Sequence, residues 1–205
     1  MLLIDDFNLY LAKQVLLSGF HLRVERGEIV TLMGPSGCGK SSLLAAIAGT
    51  LDGNFTCSGT IQLANREISK LPQAQRRVGM LFQDDLLFPH FNVAQNLQFA
   101  LAQREQAAAS SIIAQALADA GMAGYQQRDV ASLSGGQRAR ISVLRSLLAQ
   151  PQLLLLDEPF SKLDTPLRQQ FRQFVKDKIE ALNIPAIVVT HDVEDCLQAS
   201  ALQIF

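Results

Sequence analysis

Gly34, Pro35, Ser36, Gly37, Cys38, Gly39, Lys40 and Ser41 run consecutively as a glycine, four residues, then Gly-Lys-Ser, with Ser42 next. That spacing suits a loop whose backbone N–H groups wrap phosphate oxygens. Gly34 and Gly39 permit the tight backbone path. Lys40 is placed to bridge β- and γ-phosphates, and the Ser41 hydroxyl to ligate magnesium. Farther along, Leu153, Leu154, Leu155 and Leu156 lead into Asp157 and Glu158. A buried parallel strand is nearly all apolar, so the first acid beyond its end, Asp157, is placed to hold a metal. The next, Glu158, can polarise an attacking water. Ser134, Gly135, Gly136 and Gln137 read as a helix start, which offers a hydroxyl and backbone donors at a positive dipole end. That is a second anion-binding feature, although one triphosphate needs only one cradle.

The elements that must position these groups follow from the hydropathy pattern. The first 33 residues read as short strands: 22–25 alternates, Gly27 and Glu28 mark a turn, and 29–33 is a continuous apolar strand entering the glycine-rich loop. A strand before such a loop and a helix after it align backbone donors and a positive dipole end against phosphate. The helix is expected over 40–48, with Gly49 as its stop. Residues 55–63 read as a strand pair broken at Ser58 and Gly59, and 78–82 as a buried strand ending at Gln83. From Asn92 to Gln150 the chain turns rich in Ala, Gln and Leu. Asn92 is expected to cap one helix, Ser110 and Ser111 to open a second ending at Gly121, and Ser134 to cap a third that Gln150 and Pro151 terminate. Residues 107–111 read as a loop between helices. Strand patterning resumes at 153–157, followed by a helix over 166–182 and a strand over 186–190 that delivers His191. The pattern predicts one α/β unit of 205 residues, with 1–83 and 151–205 as its core and 84–150 as a helical insert. Residues 201–205 read as the opening of a strand, so a longer natural chain is expected.

Charge and composition narrow the function classes. Eighteen Lys and Arg face 19 Asp and Glu, for a formal net charge of −1, with 48% hydrophobic residues. A sizeable core is available, and electrostatics give no case for nucleic-acid binding. No apolar run approaches the roughly 20 residues needed to span a bilayer. Asp5 and Asp6 stand where a secretory signal would be basic and then apolar. Cys38, Cys57 and Cys196 are odd in number and widely spaced, without metal-ligand pairing. These features predict a reduced, cytoplasmic protein that meets a membrane through a partner.

Leu133 to Gln137, read with the phosphate loop, resembles the ATP-binding subunits of ABC transporters, and the resemblance covers essentially the whole chain. The family's other landmarks follow in order: Tyr10, 24 residues before Gly34; Gln83 at a strand end; Asp157 and Glu158; Ser161, Lys162, Leu163 and Asp164; Thr190, His191 and Asp192. The resemblance implies a P-loop NTPase fold with a parallel-sheet core, an N-terminal antiparallel β subdomain and an inserted α-helical subdomain. It implies ATP with Mg2+, Tyr10 stacking on adenine, and the loop residues 34–42 around the phosphates. Ser41, Gln83 and Asp157 would attend the metal, while Glu158, His191, Lys40 and Gln83 would serve hydrolysis. His191 would contact the γ-phosphate and orient Glu158 and water. Ser134, Gly135, Gly136 and Gln137 would contact the γ-phosphate held by the other copy of a head-to-tail homodimer, with Asp164 at the interface.

The segment after Gln83, through His90 and Asn96, looks most like ATPases of importers fed by binding proteins, including thiamine, iron, polyamine and sulfate types. Leu86, Leu87, Phe88 and Phe91 would then line a groove for a permease helix, with Phe88 and Phe91 as the chief contacts. The expected partners are integral-membrane permease subunits and an extracytoplasmic binding protein, with the ATPase on the cytoplasmic face of the cell membrane. At 205 residues the chain resembles the short thiamine-type ATPases, so an appended regulatory domain is not expected. An exporter subunit and a soluble non-transport ATPase of the same family stand as alternatives. Two departures stand out: Ser42 where threonine is commoner, and Tyr10 one residue farther from the following Val15 and Leu16 than usual.

Overall fold

Among its described residues, the computed structural model has two sheets and six α-helices. The described residues are 1–205 apart from Ser36, Lys162, Asp164, Ala199, Ser200, Ala201 and Phe205, with the side chains of Gln103, Arg104 and 202–204 also left aside. The expected roles of Ser36 and Asp164 therefore fall outside the described residues.

The first sheet is antiparallel. β1 (Leu2–Leu11) and β2 (Gln14–Val24) form a long hairpin, and β4 (Phe55–Leu63) and β5 (Arg66–Glu67) complete the order β2-β1-β4-β5. The short strands expected near the N-terminus are thus one extended pair. Register shifts let the pair absorb the polar residues that interrupt its alternation, with slips on either side of Phe7. The break expected at Ser58 and Gly59 is likewise absent. β4 runs straight through because Gly59, at φ 96°, passes so close to β1 that a Cβ would stand 2.3 Å from the Asp6 carbonyl oxygen.

The second sheet is parallel, with β3 (Ile29–Met33), β6 (Val78–Leu81), β7 (Leu153–Asp157), β8 (Ala186–Val189) and β9 (Leu202–Ile204) in the order β6-β7-β8-β3-β9. Its central strands β7, β8 and β3 are almost entirely apolar because both faces are covered, Thr31 of β3 being a buried exception. Leu153 and Leu155 pack into one cluster with β1, β2 and helix α1 (Lys40–Ala48). Leu154 and Leu156 pack into the opposite cluster with helices α5 (Gly135–Leu148) and α6 (Thr165–Leu182). Between β6 and β7 the chain detours through α3 (Val93–Gln98), α4 (Ala109–Asp119) and α5, which share a third cluster around Val93, Leu97, Ile113 and Leu117. Asn92 and Ser134 cap α3 and α5 with reciprocal capping boxes. The loop expected at 107–111 is instead a 3-10 turn (Gln103–Ala108) running into α4.

One buried cation finishes the helix that begins at the glycine-rich loop. Arg76, in the short α2 (Gln73–Arg76), donates from Nη1 to the Ala46 and Ile47 carbonyls at 2.7 and 3.0 Å. Those are terminal carbonyls of α1, where a positive charge is favoured. Gly49 closes the helix in the left-handed region, so close to Arg76 that a Cβ would meet its Nε at 2.6 Å.

Candidate functional site

The C-terminal ends of β3, β7 and β8 converge, which is where ligands bind in open α/β sheets. β3 delivers the glycine-rich loop, in which Gly37 and Gly39 take φ of 82° and 101°. Gly39 also packs against Leu16, whose Cβ would be 3.3 Å from an added methyl. Leu16 lies in a bulge, since Leu9 pairs with Leu17 while Tyr10 pairs with Val15. Tyr10 is thereby placed one register step from the loop's neighbour, half-buried on the strand pair. Lys40 is 7% exposed, and its Nζ donates to the Gly34 and Pro35 carbonyls, each at 2.7 Å. The Cys38 sulfur lies 3.6 Å from the same ammonium.

β7 is not the neighbour of β3. β8 stands between them, pairing Val189 with both Leu32 and Asp157. Asp157 still reaches the loop's helix, because Ser41 hydrogen-bonds its carboxyl group. Burial pushes the Asp157 carboxyl above its ordinary pKa, and Glu158 adds to this. The Ser41 hydrogen bond and the Lys40 charge pull the other way, and burial wins. A hydroxyl and a carboxylate held together suit a hard cation such as Mg2+, which is commonly held by one or two carboxylates, waters and substrate phosphates.

Glu158 takes φ 46°, a left-handed conformation unusual for a side chain of its size. Its N–H donates to the Val189 carbonyl at 2.9 Å, and its carbonyl accepts the Ser161 hydroxyl at 2.9 Å. This tight turn brings Glu158 Oε1 within 3.1 Å of His191 Nδ1. The structure thus gathers Lys40, Ser41, Asp157, Glu158 and His191. Gln83 lies just beyond β6, the strand paired with β7, and lines a cavity of about 470 Å³ with Gly135, Arg138, Pro159 and Leu163.

At the start of α5 the donors are fewer than the residue types imply. Gln137 Oε1 accepts from the Ser134 N–H at 3.0 Å, and its Nε2 donates to the Tyr125 hydroxyl at 3.1 Å. The side chain of Gln137 is therefore used within the chain. The two glycines also differ. A Cβ on Gly136 would lie 2.1 Å from Leu167 Cδ2, whereas one on Gly135 would meet nothing within 4 Å.

The segment after Gln83 is fastened to α5. Arg138 Nε donates to Asp85 Oδ2 at 2.8 Å, Ser142 Oγ to the Asp85 carbonyl at 2.9 Å, and Arg145 Nη1 to the Leu86 carbonyl at 2.9 Å. Positions 138, 142 and 145 share one helix face, so their spacing carried the signal although their target lay far off in sequence. Phe88 and Phe91 stand about a third exposed with their rings 5.4 Å apart. Phe99 completes the patch 4.8 Å from Phe88. Leu87 packs inward against the helical cluster instead of joining the surface as expected. Asn96, fully buried, holds this loop by accepting from the Phe88 N–H and donating to the Phe88, Phe91 and Asn92 carbonyls. Phe99 and Arg145 also line a groove of about 740 Å³ with Arg77, Met80 and Ala100.

A family model described as ABC transporter matches residues 17–161. The chain is 50% identical over 196 residues to the uncharacterized ABC transporter ATP-binding protein YnjD of Escherichia coli (strain K12), covering 95% of this chain and 90% of that protein. It is 37% identical over 199 residues to the spermidine/putrescine import ATP-binding protein PotA of Bacteroides fragilis, covering 96% of this chain but 42% of PotA. It is 40% identical over 181 residues to the Fe(3+) ions import ATP-binding protein FbpC 1 of Rhizobium meliloti, covering 87% of this chain and half of that protein. Among solved structures, the dimeric post-hydrolysis state of the ATP-binding cassette MJ0796 with ADP and Pi aligns at a TM-score of 0.77 and 26% identity, covering 95% of this chain and 90% of that one.

Proposed function

Because the chain belongs to the ABC transporter ATP-binding family, we propose that it hydrolyses ATP in a head-to-tail homodimer to drive a binding-protein-dependent importer. The observation that carries the chemistry is the gathering of Lys40, Ser41, Asp157, Glu158 and His191 at the ends of adjoining strands. The import reading rests on the PotA and FbpC relatives, whose names specify import, and on the aromatic patch at Phe88, Phe91 and Phe99. That patch borders the groove in which we place a permease helix.

The chain's own groups do most of the work, as expected for phosphoryl transfer, where positioning and electrostatics dominate. The loop N–H groups and Lys40 hold the phosphates, with Lys40 trading its carbonyl partners for phosphate oxygens. Ser41 and Asp157 would hold Mg2+, which would supply positive charge beside the transferring phosphate. Glu158 accepts a proton from the attacking water, and His191, hydrogen-bonded to it, fixes its orientation. Ser134 and the N–H groups of Gly135 and Gly136 contact the γ-phosphate bound by the other copy. Because Arg138, Ser142 and Arg145 tie α5 to the segment that follows Gln83, closing the dimer moves the docking patch together with α5. Among the described residues no helix is long and apolar enough to cross a membrane. The import ATP-binding relatives support placing the protein at the cytoplasmic face through its permease.

Steady-state ATP hydrolysis tests the chemistry. Glu158→Gln and Lys40→Ala are each expected to lower the rate at least a hundredfold, and unchanged rates would remove the assignment. Affinity purification from native membranes tests the coupling. Recovery with a multispanning permease and a binding protein supports import. Recovery with a permease and no binding protein points to an exporter, and recovery with ribosomes or nucleic acid to a non-transport ATPase.

A further inference from the structure

His191 is flanked by two residues tied to one partly buried ionic network. On one side the Thr190 hydroxyl, 1% exposed with its residue, accepts from the Asp192 N–H at 3.1 Å and donates to Asp195 Oδ2 at 3.2 Å. On the other side Asp192 spends both carboxylate oxygens, one on the Glu194 N–H at 2.9 Å and one on Arg168 Nη1 at 2.7 Å. Arg168 also faces Asp195, with Nε 3.7 Å from Oδ1. Both atoms are buried and have no hydrogen-bond partner among the described residues. Asp195 is 3% exposed, and a buried carboxylate is tolerable only beside an opposite charge. Arg172 also lies near it, but Arg172 donates to the Cys196 carbonyl at 3.2 Å, which leaves Arg168 as the residue that binds the turn at both carboxylates.

Arg168 sits in the first turn of α6, which begins at Thr165. Its neighbour Leu167 is the side chain that fills the space a Cβ on Gly136 would need, against the N-terminus of α5. One helical turn therefore touches the start of α5 with Leu167 and the histidine turn with Arg168. We propose that Arg168 is a positioning residue for hydrolysis, holding the turn of Thr190 and Asp192 so that the His191 imidazole stays against Glu158. The inference rests on the reading of Glu158 and His191 as the hydrolytic pair, and it assigns the hold of α6 on the carboxylates of that turn to Arg168. A displacement of about an ångström can cost a factor approaching a hundred in rate, so loosening this turn should act on turnover and leave ATP binding alone.

Histidine resonances and kinetics test this together. The chain has three histidines, His21, His90 and His191, so the first two serve as internal references in a ¹H–¹³C imidazole spectrum. In Arg168→Ala we expect the His191 signal to move while the other two stay. We expect kcat to fall about tenfold or more with KM for ATP within about twofold. Arg168→Lys keeps the charge but loses the planar fork and should recover part of the rate. In a His191→Ala background, Arg168→Ala should cost little more. If Arg168→Ala does not fold, Asp192→Asn removes the charge that Arg168 binds at nearly constant size and gives the same readings. An unmoved His191 signal with wild-type kcat, or losses that multiply in the double variant, would overturn the proposal. If His191→Ala alone turned over at the wild-type rate, the hydrolytic-pair reading would fail instead. A moved His191 signal in Arg168→Ala would then still support the hold on the turn.

Discussion

At Asp157 a functional demand opposes a stability demand. Burial raises this carboxyl's pKa against the Ser41 hydrogen bond and the Lys40 charge, so the folded protein takes up a proton there more readily than the unfolded chain. A raised carboxyl contributes stability in acid that is lost as pH rises from the ordinary carboxylate range through the raised value. Asp157→Asn escapes that loss. In the absence of nucleotide and metal, its Tm should match wild type in acid and exceed it at neutral pH, while hydrolysis disappears. A variant that melts below wild type at neutral pH would show that the charge is favourable where it lies. Cys38 offers a second check within the loop. Its sulfur is 3.6 Å from the Lys40 ammonium, so a bulky maleimide there should block the phosphate site and inactivate the protein, with ATP protecting. Cys38 labelled in full, with activity retained, would contradict this.

The helices α5 and α6 show how one pair of adjacent glycines divides between packing and contact. Gly136 gives α6 its close approach through Leu167, while Gly135 faces open space. Alanine improves intrinsic helix propensity by about 1 kcal/mol at either place. At Gly136 that gain is smaller than the overpacking cost, since a Cβ 2.1 Å from Leu167 Cδ2 requires Leu167 or the helix to shift. Gly136→Ala should therefore lose about 1–3 kcal/mol in urea denaturation. Gly135→Ala should unfold at or slightly above the wild-type midpoint. If Gly135→Ala also loses ATP hydrolysis while remaining stable, the reason for the glycine lies outside the chain, where a second copy would approach. Equal stability losses at both positions would remove the distinction.

At the scale of the whole molecule, the glycine-rich loop and the start of α5 are the two places where we propose that phosphate binds. The described lining of the cavity beside Gly135 is Gln83, Asp85, Arg138 and their neighbours, with no contribution from the loop. The proposal that two copies complete each other makes assembly depend on nucleotide. Glu158→Gln should trap the closed state, so ATP should shift it from monomer to dimer in light scattering while ADP leaves it monomeric. A monomer at saturating ATP and high protein concentration would contradict the sandwich.

What the residues alone determined was local. Consecutive types set the glycine-rich loop, the unbroken leucines of β7 announced a strand covered on both faces, and Asn92 and Ser134 marked two helix starts through their side-chain oxygens. Each of these depends on neighbours a few positions away. Only the tertiary structure decided that β8 lies between β3 and β7, that β4 runs through Gly59, and that Gln137 is tied to Tyr125. Arg138, Ser142 and Arg145 could be placed on one helix face by spacing, but their target, Asp85 and Leu86, could not. Arg168 gave no signal at all, because its partners at Asp192 and Asp195 lie on a separate turn beyond β8. Periodicity tells a side chain which face it occupies, whereas the partner on that face depends on where the chain returns.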